Sequence, residues 1–230
     1  KSGYTRGHMA PAMDMRWSRQ TMTECFFMTN MCPQIEQLNN GSWRSLEETV
    51  HRWAKRDGTI WVYTGPIMTG STRRIGPKAD IAVPEAFYKV LYAPRQQRAI
   101  AFIYNNDNER GGMARHATTI AEAMCYNVAD SANELGAKVI IVPTKRGVSA
   151  RLISNLEPIC PIIALTFDEA TAQGLTLNYG VYTICVKEFY TLDHLLEMSK
   201  KTAAEWLDLK QGDIVIITGG FHARPVGAET

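Results

Sequence analysis

The stretch KVIIVPTKRGVSARLISNLEPICPIIALT, residues 138–166, decides how the second half of the chain folds. Its two ends, KVIIVP (138–143) and PIIALT (161–166), are short apolar runs bounded by turn residues. A strand that is apolar at every position is buried on both faces, which is the habit of a parallel sheet between helical layers. Residues 150–156 between them carry a short helical pattern, so the stretch reads as strand, helix, strand.

The alternation continues in both directions. A helix is expected over 120–135, stopped at Gly136. Asp168 is placed to cap a helix reaching residue 177, with Glu169 and Ala170 in a favourable first turn. A strand follows over 181–186. A long helix over 191–207 sets Leu192, Leu195, Leu196 and Ala203 on its apolar side. Gly212-Asp213 leads into a last strand over 214–218. Residues 118–230 therefore read as an α/β domain with a mainly parallel sheet covered on both faces.

The first half follows another pattern. Residues 20–40 are rich in Met, Phe, Asn and Cys without a clean period, and read as short helix and irregular loop. Over 42–56, Trp43, Leu46, Val50, Trp53 and Ala54 form an apolar stripe at helical spacing, closed by Asp57-Gly58. Strands are expected over 59–64, 81–93 and 99–104, with Val83-Pro84 marking a start or an edge.

Charge separates the halves as well. Residues 1–115 hold 16 Lys and Arg against 10 Asp and Glu, and residues 116–230 hold 9 against 13. A basic half favours phosphate-rich partners, although an excess of this size also occurs by ordinary scatter. No run of apolar residues is long enough to span a membrane. Five cysteines without a C-x-x-C pair argue against a disulfide framework or a zinc site, and most of them read as small buried hydrophobes. Lys1-Ser2-Gly3-Tyr4 reads as a start inside a longer sequence. Residues 105–112, polar and Gly-rich, read as a loop or linker.

Two polar features of the first half stand out. At about 100° per residue, Glu47 falls about 40° from Trp43, at the border of the apolar stripe, while Glu48 points outward. A carboxylate turned inward needs a partner or a job. His51 shares its side, so a Glu–His or Glu–Arg pair at the helix edge is the plainer reading. The other feature is Arg6-Gly7-His8. Gly7 permits a tight turn beside a ligand, His8 suits a general base near neutral pH, and Arg6 can grip a phosphate. Alone, three such residues read more readily as a surface loop.

In combination the blocks are specific. Thr5-Arg6-Gly7-His8 is followed by Thr29-Asn30 and Pro33-Gln34, then Leu38-Asn39 and Trp43, then Leu46-Glu47. Thr64-Gly65-Pro66-Ile67 and Val83-Pro84 with Phe87-Tyr88-Lys89-Val90 continue the series. This order resembles the DNA/RNA non-specific endonucleases of the ββα-metal fold, over about residues 3–118. The resemblance implies an α+β nuclease-like fragment acting on DNA or RNA. It implies that His8 deprotonates the attacking water and that Asn39 ligates a hydrated Mg²⁺ or Mn²⁺. It implies that Glu47 orients the metal's waters and that Arg6 and Arg52 neutralise phosphate charge. Thr5 stands where that family has Asp, and the family carries an upstream section that precedes the first residue here.

Residues 118–230 resemble the C-terminal domain of pyruvate kinase. The blocks are Glu134-Leu135-Gly136-Ala137-Lys138, Thr144-Lys145-Arg146-Gly147, Ala150-Arg151-Leu152-Ile153-Ser154, Pro158 to Ala164 and Lys210 to Gly219. The resemblance implies a regulatory, oligomer-forming module without kinase activity of its own. Thr144, Lys145 and Ser149, with Arg224, would form a sugar-phosphate effector site, and an ordinary strand-to-helix turn is the other reading of that loop. One family is often exported or periplasmic, the other cytoplasmic. The chain thus reads as a chimera or joined fragments, with three functional readings: a Mg²⁺-dependent endonuclease, a non-catalytic effector-binding or homo-oligomer-forming module, or an inert composite.

Overall fold

A computed structural model of the chain describes residues 2–68, 73–78, 80–108, 111–187 and 191–218. The chain divides into two units, Lys1–Ala123 and Met124–Thr230, and each is taken by itself.

The first unit opens with β1 (Tyr4–His8). A short helix, α1 (Arg19–Glu24), follows, capped by Ser18, whose Oγ accepts from Thr21 N. Strand β2 (Met31–Ile35) then pairs antiparallel with β1, Gly7 opposite Cys32 and His8 opposite Met31. These strands correct the expected surface loop at residues 6–8, and of the short helix and irregular loop expected over 20–40 the helix is found as α1, while part of the loop is strand β2. Gly7 and Pro33 weaken the local strand signal, and cross-strand pairing supplies what the local pattern lacks.

A wide π-helical turn, Leu38–Trp43, leads into α2 (Arg44–Asp57), which stops at Gly58 with φ of 90°. Then come β3 (Trp61–Ile67), a small pair of β4 (Arg74–Ile75) and β5 (Ile81–Ala82), and β6 (Ala86–Ala93), β7 (Arg98–Asn105) and β8 (Ala117–Thr118). Strands β3, β6, β7 and β8 form an antiparallel sheet in that order. The strand expected over 81–93 is thus two, interrupted at Val83-Pro84, where proline has no N–H to give a ladder.

The turn and α2 bury Leu38, Trp43, Leu46 and Val50 against Phe87, Leu91, Phe102 and Tyr104. Each such side chain contributes about 1.5–3 kcal/mol by leaving water. The Trp43 ring lies 5.7 Å from Phe87 and 5.9 Å from Tyr104 between centroids. This packing fixes the side of α2 that carries Glu47 against the sheet.

In the second unit α3 (Ile120–Glu134) precedes β9 (Val139–Pro143), α4 (Val148–Ser154), β10 (Ile162–Thr166), α5 (Glu169–Leu175), β11 (Val181–Cys185), α6 (Leu192–Trp206) and β12 (Val215–Ile217). The sheet is wholly parallel, in the order β11-β10-β9-β12. Alternation along β9 and β10 separates two cores. Ile140, Val142, Ile162 and Ala164 pack with Cys125, Ala132, Ala150, Ile153 and Leu175 of α3, α4 and α5. Val139, Ile141, Ile163 and Leu165 pack with Ala203 of α6. The expected parallel sheet with helices on both faces is therefore the one observed.

No disulfide joins any of the five cysteines. Cys25 and Cys125 are buried, Cys32 and Cys160 half-buried, and Cys185 is exposed at the end of strand β11. Among the described residues no helix is long and apolar enough to cross a membrane.

Candidate active site of the first unit

Strand β1 presents Thr5, Arg6 and His8 in succession, and its register with β2 explains Gly7. A Cβ built there would lie 2.2 Å from Gln34 Oε1 and 2.8 Å from Gln34 Cβ. Gln34 is fully buried, so it cannot move aside. Gly7 is therefore required by packing inside a strand; the expected tight turn beside a ligand is corrected.

Thr5 Oγ1 donates to Gln34 O at 2.9 Å, which spends its proton. It can then only accept from Asn39, whose Nδ2 lies 2.9 Å away. The same Nδ2 reaches Arg6 O at 3.4 Å. Both contacts demand a donor, so the Asn39 amide has one chemically sensible orientation, with Oδ1 left as a free ligating oxygen. The turn over Leu38–Trp43, kinked at Gly41 (φ −108°, ψ −105°), places Asn39 there.

His8 is half-buried at the end of β1. Its ring meets Phe26 edge-on at 4.8 Å, and its Nε2 is buried without a hydrogen-bond partner. Burial lowers its pKa below the ordinary histidine value, so the ring is neutral near pH 7. The segment after it is pinned by Asn30, which accepts from Ala10 N and donates to Ala10 O and Cys25 O. Asn30 belongs to the quoted sequence blocks, but its role as this clamp was not evident from them.

Glu47 faces inward from α2, its side chain 16% exposed, and its partner is Lys89 of β6, with Nζ 3.9 Å from Oε1. The helix-edge partners expected for it are not the ones found. His51 instead meets Asp14 at 3.3 Å, and Arg52 is exposed and donates to Thr49 Oγ1. Glu48 pairs with Arg44 at the surface. Burial pushes the Glu47 carboxyl up to about 7, against the opposing pull of Lys89, and the charges of Asp14 and Glu48 add to the rise. The Trp43 indole lies close enough to lower it somewhat, yet neither Trp43 Nε1 nor Glu47 Oε1 makes a hydrogen bond of ordinary geometry.

The structure thus joins Thr5, Arg6 and Asn39 directly, and gathers Glu47, Lys89, Asp14 and His51 into a second polar cluster. Among the described residues no hydrogen bond or ion pair links His8 to Asn39 or Glu47, and no group of three or more His, Cys, Asp or Glu side chains is arranged to hold a metal.

In the second unit Thr144 is buried, and its Oγ1 accepts from Gly147 N at 3.0 Å. Lys145 is exposed, with Nζ 5.6 Å from the Phe167 ring centroid. Ser149 lies half-buried in the first turn of α4. Arg224 lies outside the described residues.

The polar strand-and-turn arrangement of the first unit and the helix-covered parallel sheet of the second are two different classes of structure in one chain. Comparison with known families agrees. Residues 1–134 match the DNA/RNA non-specific endonuclease family, and the chain belongs to it. Residues 122–229 match the pyruvate kinase alpha/beta domain. The chain is similar to the mitochondrial nuclease EXOG of Danio rerio, at 39% identity over 105 residues, covering 41% of this chain and 30% of that protein. Human mitochondrial endonuclease G is 34% identical over 99 residues, 39% of this chain and 33% of its own length. The pyruvate kinase of Lactobacillus delbrueckii subsp. bulgaricus is 38% identical over 103 residues, 45% of this chain and 18% of its own. A crystal structure of a Cryptosporidium parvum pyruvate kinase aligns with a TM-score of 0.43 at 31% identity, covering 45% of this chain and 21% of that one. The chain spans a third or less of the length of these curated relatives.

Proposed function

We propose that residues 1–115 form an endonuclease domain that hydrolyses phosphodiesters in DNA and RNA with Mg²⁺ or Mn²⁺. Residues 118–230 form a separate domain. The observation that carries the nuclease reading is the Asn39 amide, held by Thr5 Oγ1 and Arg6 O so that Oδ1 remains for a cation. A bound divalent ion supplies charge stabilisation at the scissile phosphate. His8 accepts the proton of the attacking water, its Nε2 having no other partner and its ring neutral at working pH. Glu47, as a carboxylate, orients water in the cation's hydration shell. Arg6 and Arg52 are both exposed, and they neutralise phosphate charge.

The test is digestion of plasmid DNA and of RNA by the purified chain with Mg²⁺, with chelator, and with His8→Ala. Cutting that requires both the metal and His8 is expected. Absence of cutting by a folded wild-type chain overturns the reading and leaves residues 1–115 as a disabled remnant.

A second reading applies to residues 118–230: a non-catalytic module that assembles into oligomers and takes a sugar phosphate at Thr144, Lys145, Ser149 and Arg224. Light scattering and calorimetry with a phosphorylated sugar test the two parts separately. A monomer that binds no such sugar overturns both.

A further inference from the structure

Lys89 has no part in the roles given above, yet its place in the fold is unusual. Along β6, Phe87, Lys89 and Leu91 are all buried on the face that meets α2. A lysine among such neighbours is an exception, because a buried ammonium is costly unless it is paired. Lys89 is only 1% exposed, in register with Thr64 of β3 and Phe102 of β7. Its Nζ lies 4.5 Å from the centroid of the Trp43 ring and 3.9 Å from Glu47 Oε1. A methionine or leucine would fill the same space without the cost.

The surroundings of Glu47 give the ammonium a purpose. Asp14, from the turn after β1, and Glu48, on α2 itself, both act on Glu47 as like charges. Asp14 is engaged by His51, Glu48 by Arg44, and Arg52 by Thr49. Lys89 is thus the cation that faces Glu47, and it comes from the sheet beneath.

We propose that Lys89 is a positioning residue of the nuclease site, whose buried ammonium holds Glu47 as an aimed carboxylate against the Trp43 ring. The inference rests on the nuclease reading of Glu47. Burial alone would keep that carboxyl protonated through neutral pH, and the adjacent positive charge opposes this. The π face of Trp43 makes the buried ammonium tolerable from its other side. Lys89 touches no reacting atom in this scheme.

The experiment uses the full chain and two variants, Lys89→Met and Lys89→Arg, each checked for fold by circular dichroism. Plasmid cleavage at saturating Mg²⁺ is followed against pH. In parallel, the Glu47 carboxyl is titrated by NMR in protein labelled at glutamate, with Glu47→Gln for assignment. Lys89→Met is expected to cut on the order of 10-fold to 100-fold more slowly at pH 7, as for loss of a supporting contact. Its acid limb and its Glu47 midpoint are both expected to move up by about one pH unit or more. Lys89→Arg, which keeps the charge, is expected to stay near wild type in both. A folded Lys89→Met with unchanged limb and midpoint, while the wild type cuts, overturns the inference. A wild type that does not cut, with a midpoint that still moves in Lys89→Met, instead overturns the nuclease reading and leaves an ion pair of structural use only. If Lys89→Met does not fold, the double variant Lys89→Met/Glu47→Gln decides. Recovery of the fold supports the pairing, and failure to recover assigns Lys89 a structural role independent of Glu47.

Discussion

Thr5 and Asn39 are joined by a hydrogen bond of 2.9 Å in which the threonine hydroxyl can only accept, because its proton is given to Gln34 O. Threonine stands here where the resembling family carries aspartate, and the geometry accounts for it. A neutral hydroxyl with its proton committed elsewhere presents the same lone pair to Asn39 Nδ2 that a carboxylate would. Thr5→Val keeps the shape and removes the oxygen. It is expected to weaken Mg²⁺ affinity by roughly 10-fold to 100-fold, as measured by the metal dependence of cleavage. Thr5→Ser is expected to remain near wild type. Equal metal dependence in Thr5→Val and wild type would show that Asn39 needs no such tether.

On the proposed nuclease reading, the pH dependence of cleavage is set by two opposite shifts. His8 lies below its ordinary value because of burial, so its ring is already neutral near pH 7. Glu47 lies at about 7 because of burial, so the carboxylate is the group still to be formed. The acid limb of the rate profile is expected near pH 7 and belongs to Glu47. A divalent cation nearby favours the charged form, so higher Mg²⁺ is expected to move the limb to lower pH. A limb well below 6.5 that ignores the metal concentration would assign it to His8 instead.

Stability should carry the same signature with a definite sign. Glu47 titrates at about 7 in the folded chain and near 4.5 when unfolded. Its folded value is raised, so the stability it contributes is fully present below about 4.5 and is lost as the pH rises through about 7. The stability of wild type relative to Glu47→Gln is expected to fall across that window, by on the order of 3 kcal/mol, and to be flat on either side. Denaturant melts at pH 4.5, 6 and 8 measure this. A difference that grows with pH would reverse the assignment of burial as the dominant cause.

Much of this architecture was legible in the residues alone, and the exceptions have physical reasons. Strands β9 and β10 announce themselves because a strand covered on both faces must be apolar throughout, and Asp168 announces α5 because its carboxylate takes Thr171 N. Strands β1 and β2 do not, because each is short and each contains a residue that strands disfavour, so their pairing is visible only in three dimensions. The blocks around His8, Asn39 and Glu47 name candidates but not their contacts. Lys89 lies far from Glu47 along the chain, where helical or strand spacing carries no information. One signal was available: Phe87, Lys89 and Leu91 share the parity of a buried strand face, and a lysine on that face needs a counter-charge.

Gly7 offers a test of whether β1 and β2 are assembled as described, through the sign of one substitution. Glycine inside a strand ordinarily weakens it, so replacement by alanine should stabilise by a few tenths to about 1 kcal/mol where space allows. Here the new methyl would meet Gln34 Oε1 at 2.2 Å and Gln34 Cβ at 2.8 Å, distances that no side chain tolerates. Gln34 is completely buried, so its side chain has little room to move aside. Gly7→Ala is therefore expected to destabilise the first unit by about 1–3 kcal/mol, the usual cost of overpacking a filled site. The melting temperature should fall by several degrees. In a Gln34→Gly background both the amide and the Cβ that obstruct the methyl are gone, and the same Gly7→Ala change should cost little or stabilise. A cycle of the four chains separates this coupling from the cavity and the added backbone freedom left by Gln34→Gly itself. If Gly7→Ala stabilises the otherwise unaltered chain, the register of Gly7 opposite Cys32 is wrong, and the placement of Thr5 and His8 on β1 is wrong with it.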